Sequence, residues 1–156
     1  MRRICPLGTV LCITVACLLY AGTSQTVFAA EITVSTTSDT INTDGACSLR
    51  EALNNANNNA ATYADCTAGS GDDTIIIPAG TYCLTDVLAI EDNVTMNGAG
   101  ANETILDGGN STASNTTCQT TVSGDRILAA YSSSVSTVNL TGLTIMGGKP
   151  RAMGVA

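Results

Sequence analysis

Two periodicities divide this chain. Leu49, Ala52, Leu53 and Ala56 recur at the i, i+3, i+4 and i+7 spacing of one helical face. Ser48 and Glu51 stand at capping-box spacing at the start of that stripe. In such a box the Ser hydroxyl accepts the N–H three residues on, and the Glu carboxylate accepts the Ser N–H. Asn57-Asn58-Asn59 then ends the helix, because Asn side chains compete for backbone hydrogen bonds. A helix this short is marginal alone, so its apolar stripe has to rest on other structure.

Further on, the helical period gives way to short β-branched runs. Thr74-Ile75-Ile76-Ile77 is stopped by Pro78-Ala79-Gly80. Its lack of alternation predicts a strand covered on both faces, or buried at a sheet junction. Residues 81–84, 94–96, 104–106, 127–130 and 138–145 read as further strands, each bounded by Gly, Asn, Asp or Ser. An internal echo runs through them. Thr104-Ile105-Leu106-Asp107-Gly108-Gly109 resembles Thr144-Ile145-Met146-Gly147-Gly148, and Val94-Thr95-Met96-Asn97-Gly98 resembles Val138-Asn139-Leu140-Thr141-Gly142. The echoes lie about 40 to 44 residues apart, an interval that reads as two solenoid coils of about 20–22 residues each.

The helix start Asp44-Gly45-Ala46-Cys47-Ser48-Leu49-Arg50-Glu51-Ala52 is followed by Gly71-Asp72-Asp73-Thr74-Ile75 and Pro78-Ala79-Gly80-Thr81-Tyr82. Val94-Thr95-Met96-Asn97-Gly98-Ala99-Gly100 and Leu140-Thr141-Gly142-Leu143-Thr144-Ile145-Met146-Gly147-Gly148 complete the series. In this order the pieces resemble the CSLREA-type N-terminal region of secreted bacterial right-handed parallel β-helix (pectin-lyase-like) proteins. The resemblance covers most of the chain after the first thirty residues. It implies an all-β fold, a right-handed parallel β-helix of about three coils with a short N-terminal capping α-helix. It also implies export. It implies little about activity, since one fold hosts many functions.

A stack of coils leaves open strand edges at its ends, and open edges invite pairing with other chains. Terminal units of solenoids are therefore atypical and serve as caps. The face formed by Leu49, Ala52, Leu53 and Ala56 is expected to cover the N-terminal opening. Beyond Gly148 the pattern stops, and Lys149-Pro150-Arg151-Ala152-Met153-Gly154-Val155-Ala156 neither continues a coil nor forms a cap helix. A truncated chain is expected, with self-association through its open C-terminal coil. The layout is a signal peptide at 1–29, a cap region at 30–73, coils at 74–148 and an irregular tail at 149–156.

Export is read independently from the first thirty residues. Arg2 and Arg3 supply a basic start, residues 7–19 an apolar stretch, and Val27-Phe28-Ala29 a small-residue cleavage site with Ala30 as the adjacent alternative. The apolar stretch is short for a membrane span, and Thr14-Val15-Ala16 is a poor lipobox for Cys17. Removing the segment leaves Arg50, Arg126, Lys149 and Arg151 against thirteen acidic residues, a net charge of −9. That balance argues against a nucleic-acid or anionic-membrane partner, for want of a cationic footprint.

Cys47, Cys66, Cys83 and Cys118 remain after cleavage. An even number in an exported chain without His predicts two disulfides. Four cysteines allow three pairings. Cys47–Cys66, tying the helix to the loop after it, is favoured, which leaves Cys83–Cys118. A zinc site is disfavoured because no CxxC spacing occurs.

Candidate chemistry is sparse. Asp72 and Asp73 invite comparison with the paired carboxylates of pectin-hydrolysing β-helix enzymes. Neighbours in an extended segment point to opposite sides, however, so a solvated turn is the expectation. A lyase needs a base and several carboxylates holding Ca²⁺. Arg126, with Asp107 and Asp125 as its nearest acidic candidates, is expected to be a surface arginine. Glu51 is used by the cap, and Arg50 is expected to bond carbonyls at a coil edge. Tyr63, Tyr82 and Tyr131 are the aromatic residues after residue 30, which argues against a sugar-stacking platform. The sequence thus predicts an exported, non-enzymatic module without metal or cofactor. Its role would be structural or adhesive, toward an extracellular polysaccharide or cell-surface component. The alternative is the N-terminal part of a polysaccharide lyase or glycoside hydrolase.

Overall fold

The computed structural model describes residues 28–109, 118 and 126–148. Along them run β1 (Glu31–Thr33), α1 (Leu49–Asn58), β2 (Asp73–Ile77), β3 (Gly80–Cys83), β4 (Leu88–Ile90), β5 (Val94–Gly98), β6 (Thr104–Asp107), β7 (Leu128–Ala130), β8 (Val138–Thr141) and β9 (Thr144–Met146). Every strand pair is parallel. The neighbours are β1-β2-β5-β8 in a first sheet, β3-β6-β9 in a second and β4-β7 in a third. The chain visits the sheets in turn and stacks coil on coil. This is a parallel β-helix. β2-β3-β4 make the first coil, β5-β6-β7 the second and β8-β9 the third.

Alternation along each strand sends every second side chain inward. The register aligns Ile32, Ile75, Met96 and Leu140 in one column, and Tyr82, Leu106 and Ile145 in another. Ile32, Ile75, Met96 and Leu106 are fully buried, whereas Leu140 and Ile145 in the third coil are 42% and 41% exposed. In β2, Ile75 and Ile77 are buried while Thr74 and Ile76 are half-buried on the outer face. The unbroken Thr-Ile-Ile-Ile run is therefore buried on one side, not two. β-branched residues suit either face of a pleated strand, so such a run does not reveal how many faces are covered.

The first echo is the coil register itself, and the second departs from it by one residue. Val94 pairs directly with Val138, and Ile105 with Thr144. The interval is one coil, not the two expected. In the preceding step Asp73 pairs with Val94 and Gly80 with Thr104, a far shorter distance along the chain. Most of the extra length lies in residues 108–127, between β6 and β7. An insertion at a corner leaves the stacked strands in register, so spacing alone overcounts coils. Residues 138–145, expected as one strand, divide at Gly142, which adopts φ +60°. Gly98 lies against it in the coil before. A methyl group on Gly98 would collide with the Gly142 carbonyl oxygen, and one on Gly142 with that of Gly98. Two glycines are needed for the corner to stack.

Candidate functional site

Helix α1 lies over β1, β2 and β4. Ser48 is its N-cap: Ser48 Oγ accepts the Glu51 N–H at 3.2 Å, and Glu51 Oε2 accepts the Ser48 N–H at 2.9 Å. Glu51 Oε1 accepts the Asn42 N–H at 3.0 Å, so both oxygens of this fully buried carboxylate are satisfied. Asn59 ends the helix in the left-handed conformation. Leu49, Ala52, Leu53 and Ala56 are buried in one cluster with Ile32, Ile75 and Leu88.

The polar side of the helix meets the edge of the third sheet. Arg50 Nη1 donates to Val87 O at 2.9 Å, and Nη2 to Asp86 O at 2.8 Å. Asn57 Nδ2 donates to Ala89 O at 2.9 Å while its Oδ1 accepts the Glu91 N–H at 2.9 Å. The Asn57 amide thus occupies the edge of β4 much as the backbone of a neighbouring strand would, which blunts it. Asp39 holds Arg50 in place through Nε at 2.9 Å and Nη2 at 2.7 Å, and also accepts the Thr85 N–H and hydroxyl.

Two disulfides are present, Cys47–Cys66 and Cys83–Cys118. The first joins the residue before the N-cap to the loop after α1. Asn55, fully buried, organises that same loop: its Nδ2 donates to Tyr63 O at 2.9 Å and Thr67 O at 3.0 Å, and its Oδ1 accepts the Tyr63 N–H at 2.8 Å. The second ties β3 of the first coil to the long connection of the second.

The outer face of the first sheet carries rows of short polar side chains. Thr74, Thr95 and Asn139 share one row, and Ile76, Asn97 and Thr141 the next. Asn139 Nδ2 donates to Thr95 Oγ1 at 3.4 Å, and Thr141 Oγ1 to Asn97 Oδ1 at 2.9 Å. Just ahead of the strands, Asn93 Oδ1 accepts the Ser136 N–H at 2.8 Å, the Thr137 N–H at 2.9 Å and the Ser136 hydroxyl at 3.1 Å. Asn93 Nδ2 donates to Asp72 Oδ1 at 3.1 Å. Beside this row lies a groove of about 220 Å³ lined by Asp72, Asn93, Val94, Thr95, Thr137 and Asn139. It offers hydroxyls, amides and one carboxylate at the inter-strand spacing of about 4.8 Å.

Asp72 and Asp73 have separate fates. Asp72 is exposed at the groove, whereas Asp73 is fully buried. Asp73 Oδ1 accepts the Ala30 N–H at 2.8 Å and the Ser70 N–H at 2.9 Å. Burial pushes the Asp73 pKa above the usual carboxylate value. The Ala30 and Ser70 N–H groups oppose that rise, and Asp92 and Asp72 add to it. Arg126 is exposed; Asp107 is buried, its Oδ1 accepting the Gly109 N–H at 2.8 Å; Asp125 lies outside the described residues. Tyr82 is buried with its hydroxyl on Pro78 O at 3.0 Å, and Tyr131 is exposed. Asp39, Asn55, Asn57 and Asn93 are site residues that the sequence reading did not single out.

No protein-family model, no curated protein and no solved structure matches this chain. The fold assignment accordingly rests on the strand pairing described above. No helix among the described residues is long and apolar enough to cross a membrane.

Proposed function

We propose that this chain is an exported β-helix module with a structural or adhesive role and no catalysis of its own. The observation that carries this reading is the outer face of the first sheet. Its polar side chains are held across coils: Asn97 by Thr141, Thr95 by Asn139, and Asn93 by the Ser136 hydroxyl and the Ser136 and Thr137 N–H groups. Side chains that hold each other present a fixed pattern of hydroxyls and amides. Such a pattern suits hydrogen bonding to a neutral, hydroxyl-rich polymer lying on the face, and the net charge of −9 after residue 30 disfavours an acidic one. Export is supported by the targeting character of the first thirty residues, the two disulfides and the resemblance to the CSLREA-type region.

Retention on insoluble neutral polysaccharides, compared with polygalacturonate, tests the proposal. The wild type is expected to be retained by a neutral polymer, and a Thr95→Ala/Asn139→Ala variant to be retained at least several-fold less. Equal retention of both proteins would remove the face from the account. Calcium-dependent release of unsaturated products from pectate, abolished by Arg126→Ala, would replace the account with the lyase reading.

A further inference from the structure

We infer that export cleaves the chain between Ala29 and Ala30, and that the α-ammonium group so released forms an ion pair with the Asp73 carboxylate. The inference rests on the proposed export and goes beyond it. The sequence favours a boundary after Ala29, with Ala30 as the adjacent alternative. The geometry distinguishes them.

The Ala30 nitrogen lies 2.8 Å from Asp73 Oδ1 and 3.2 Å from Ser70 O. In the uncut chain that nitrogen carries a single hydrogen for two acceptors. Hydrolysis adds one water across the Ala29–Ala30 bond. The Ala29 carbonyl carbon gains the oxygen and departs as a carboxylate, while the Ala30 nitrogen takes up protons and becomes –NH₃⁺. Three N–H groups then serve both acceptors, with one left for solvent at the half-buried Ala30. A hydrogen bond that was neutral at its donor becomes charged at both ends, the stronger kind.

The position of this nitrogen is fixed to the residue. Ala30 O accepts the Thr74 N–H at 2.9 Å, and Glu31 pairs with Thr74 at the start of β1. Cleavage one residue later would leave Asp73 without the Ala30 donor. The electrostatics favour a cation here. Asp73 is fully buried, and Asp72 and Asp92 are close enough to oppose its ionisation. The same two charges attract an ammonium group. Arg50 is engaged by Asp39 and the β4 edge. Against the pair, among the described residues, stands the loss of the hydrogen bond from the Ser70 hydroxyl to Phe28 O at 2.6 Å. Phe28 is 78% exposed, so its removal uncovers little of the core.

Intact mass and N-terminal sequencing of the exported protein should give Ala30 as the first residue. The pair itself is tested on chains released from a fusion so that they begin at Ala30 or, one residue longer, at Ala29. Every described strand and the helix lie within both. With a limiting acylating reagent at pH 7, the α-amine of the Ala30 chain should react about tenfold more slowly than in its Asp73→Asn variant, the factor of one pKa unit. In the Ala29 chain, Asp73→Asn should leave the rate unchanged. An exported product beginning elsewhere overturns the assigned site. An uncut product overturns the export reading and the processing step together. Equal acylation of the Ala30 chain with and without Asp73→Asn overturns the pair, whatever the export result.

Discussion

Asp39 concentrates more of the cap's polar contacts than any motif in the sequence announces. One carboxylate accepts two bonds from Arg50 and two from Thr85, and so joins the segment before α1 to the turn after β3. Its side chain is 3% exposed and that of Arg50 15%. Asp39→Ala should therefore leave a largely buried guanidinium unpaired and destabilise the fold by about 3 kcal/mol in urea titration. A loss within error of zero would mean that Arg50 is held by the β4 carbonyls alone. Asp73 makes a pH-dependent prediction for a chain in which Ala30 remains peptide-linked to Ala29. Its folded-state pKa is raised, so its stabilising contribution is complete below the unfolded value of about 3.9 and is lost as pH rises through the folded value. Stability of that chain should decline as pH rises between the two values, and Asp73→Asn should remove the decline. Superimposable pH profiles would show that Asp73 is not the responsible group. The capping box was legible in the sequence because both partners lie within one helical turn. The Asp39–Arg50 pair and the Asn57 contacts with β4 were not, because their partners meet only after the coil has closed.

At the scale of the element, α1 is legible throughout: its start, its apolar stripe and its end are all written in local spacing. Its packing over β1, β2 and β4 gives the stripe a partner, and its polar residues cover a strand edge. Leu53→Asp would place an unpaired charge in a site where the side chain is 2% exposed. We expect a loss of several kcal/mol in thermal or urea unfolding, with greater dye binding as the first-coil core is uncovered. Wild-type stability in Leu53→Asp would mean that the helix does not close the stack. The strands were less legible. Three-residue strands such as β1 and β4 are too short for alternation to separate them from loops. The break between β8 and β9 depends on the facing of Gly98 and Gly142, which belong to different coils.

At the scale of the molecule, the class of fold and the count of about three coils were readable, and the length of the second coil was not. The repeated segments were expected two coils apart, with one coil between them, because residues 108–127 were counted as part of a further turn; the strands are instead direct neighbours. The outer polar face depends on the true register, because only direct stacking of β5 on β8 brings Asn93 to Thr137, Thr95 to Asn139 and Asn97 to Thr141. The Cys83–Cys118 disulfide ties β3 of the first coil to the connection between β6 and β7. If the second coil is one long turn, β5 and β8 are direct neighbours. Inter-strand proton–proton contacts in the NMR spectrum of the isotopically labelled protein decide this. Contacts between the backbone protons of Thr95 and Asn139, at the separation of adjacent strands, are expected. Their absence, with Thr95 in contact instead with a strand drawn from residues 110–125, would rule out the direct stacking.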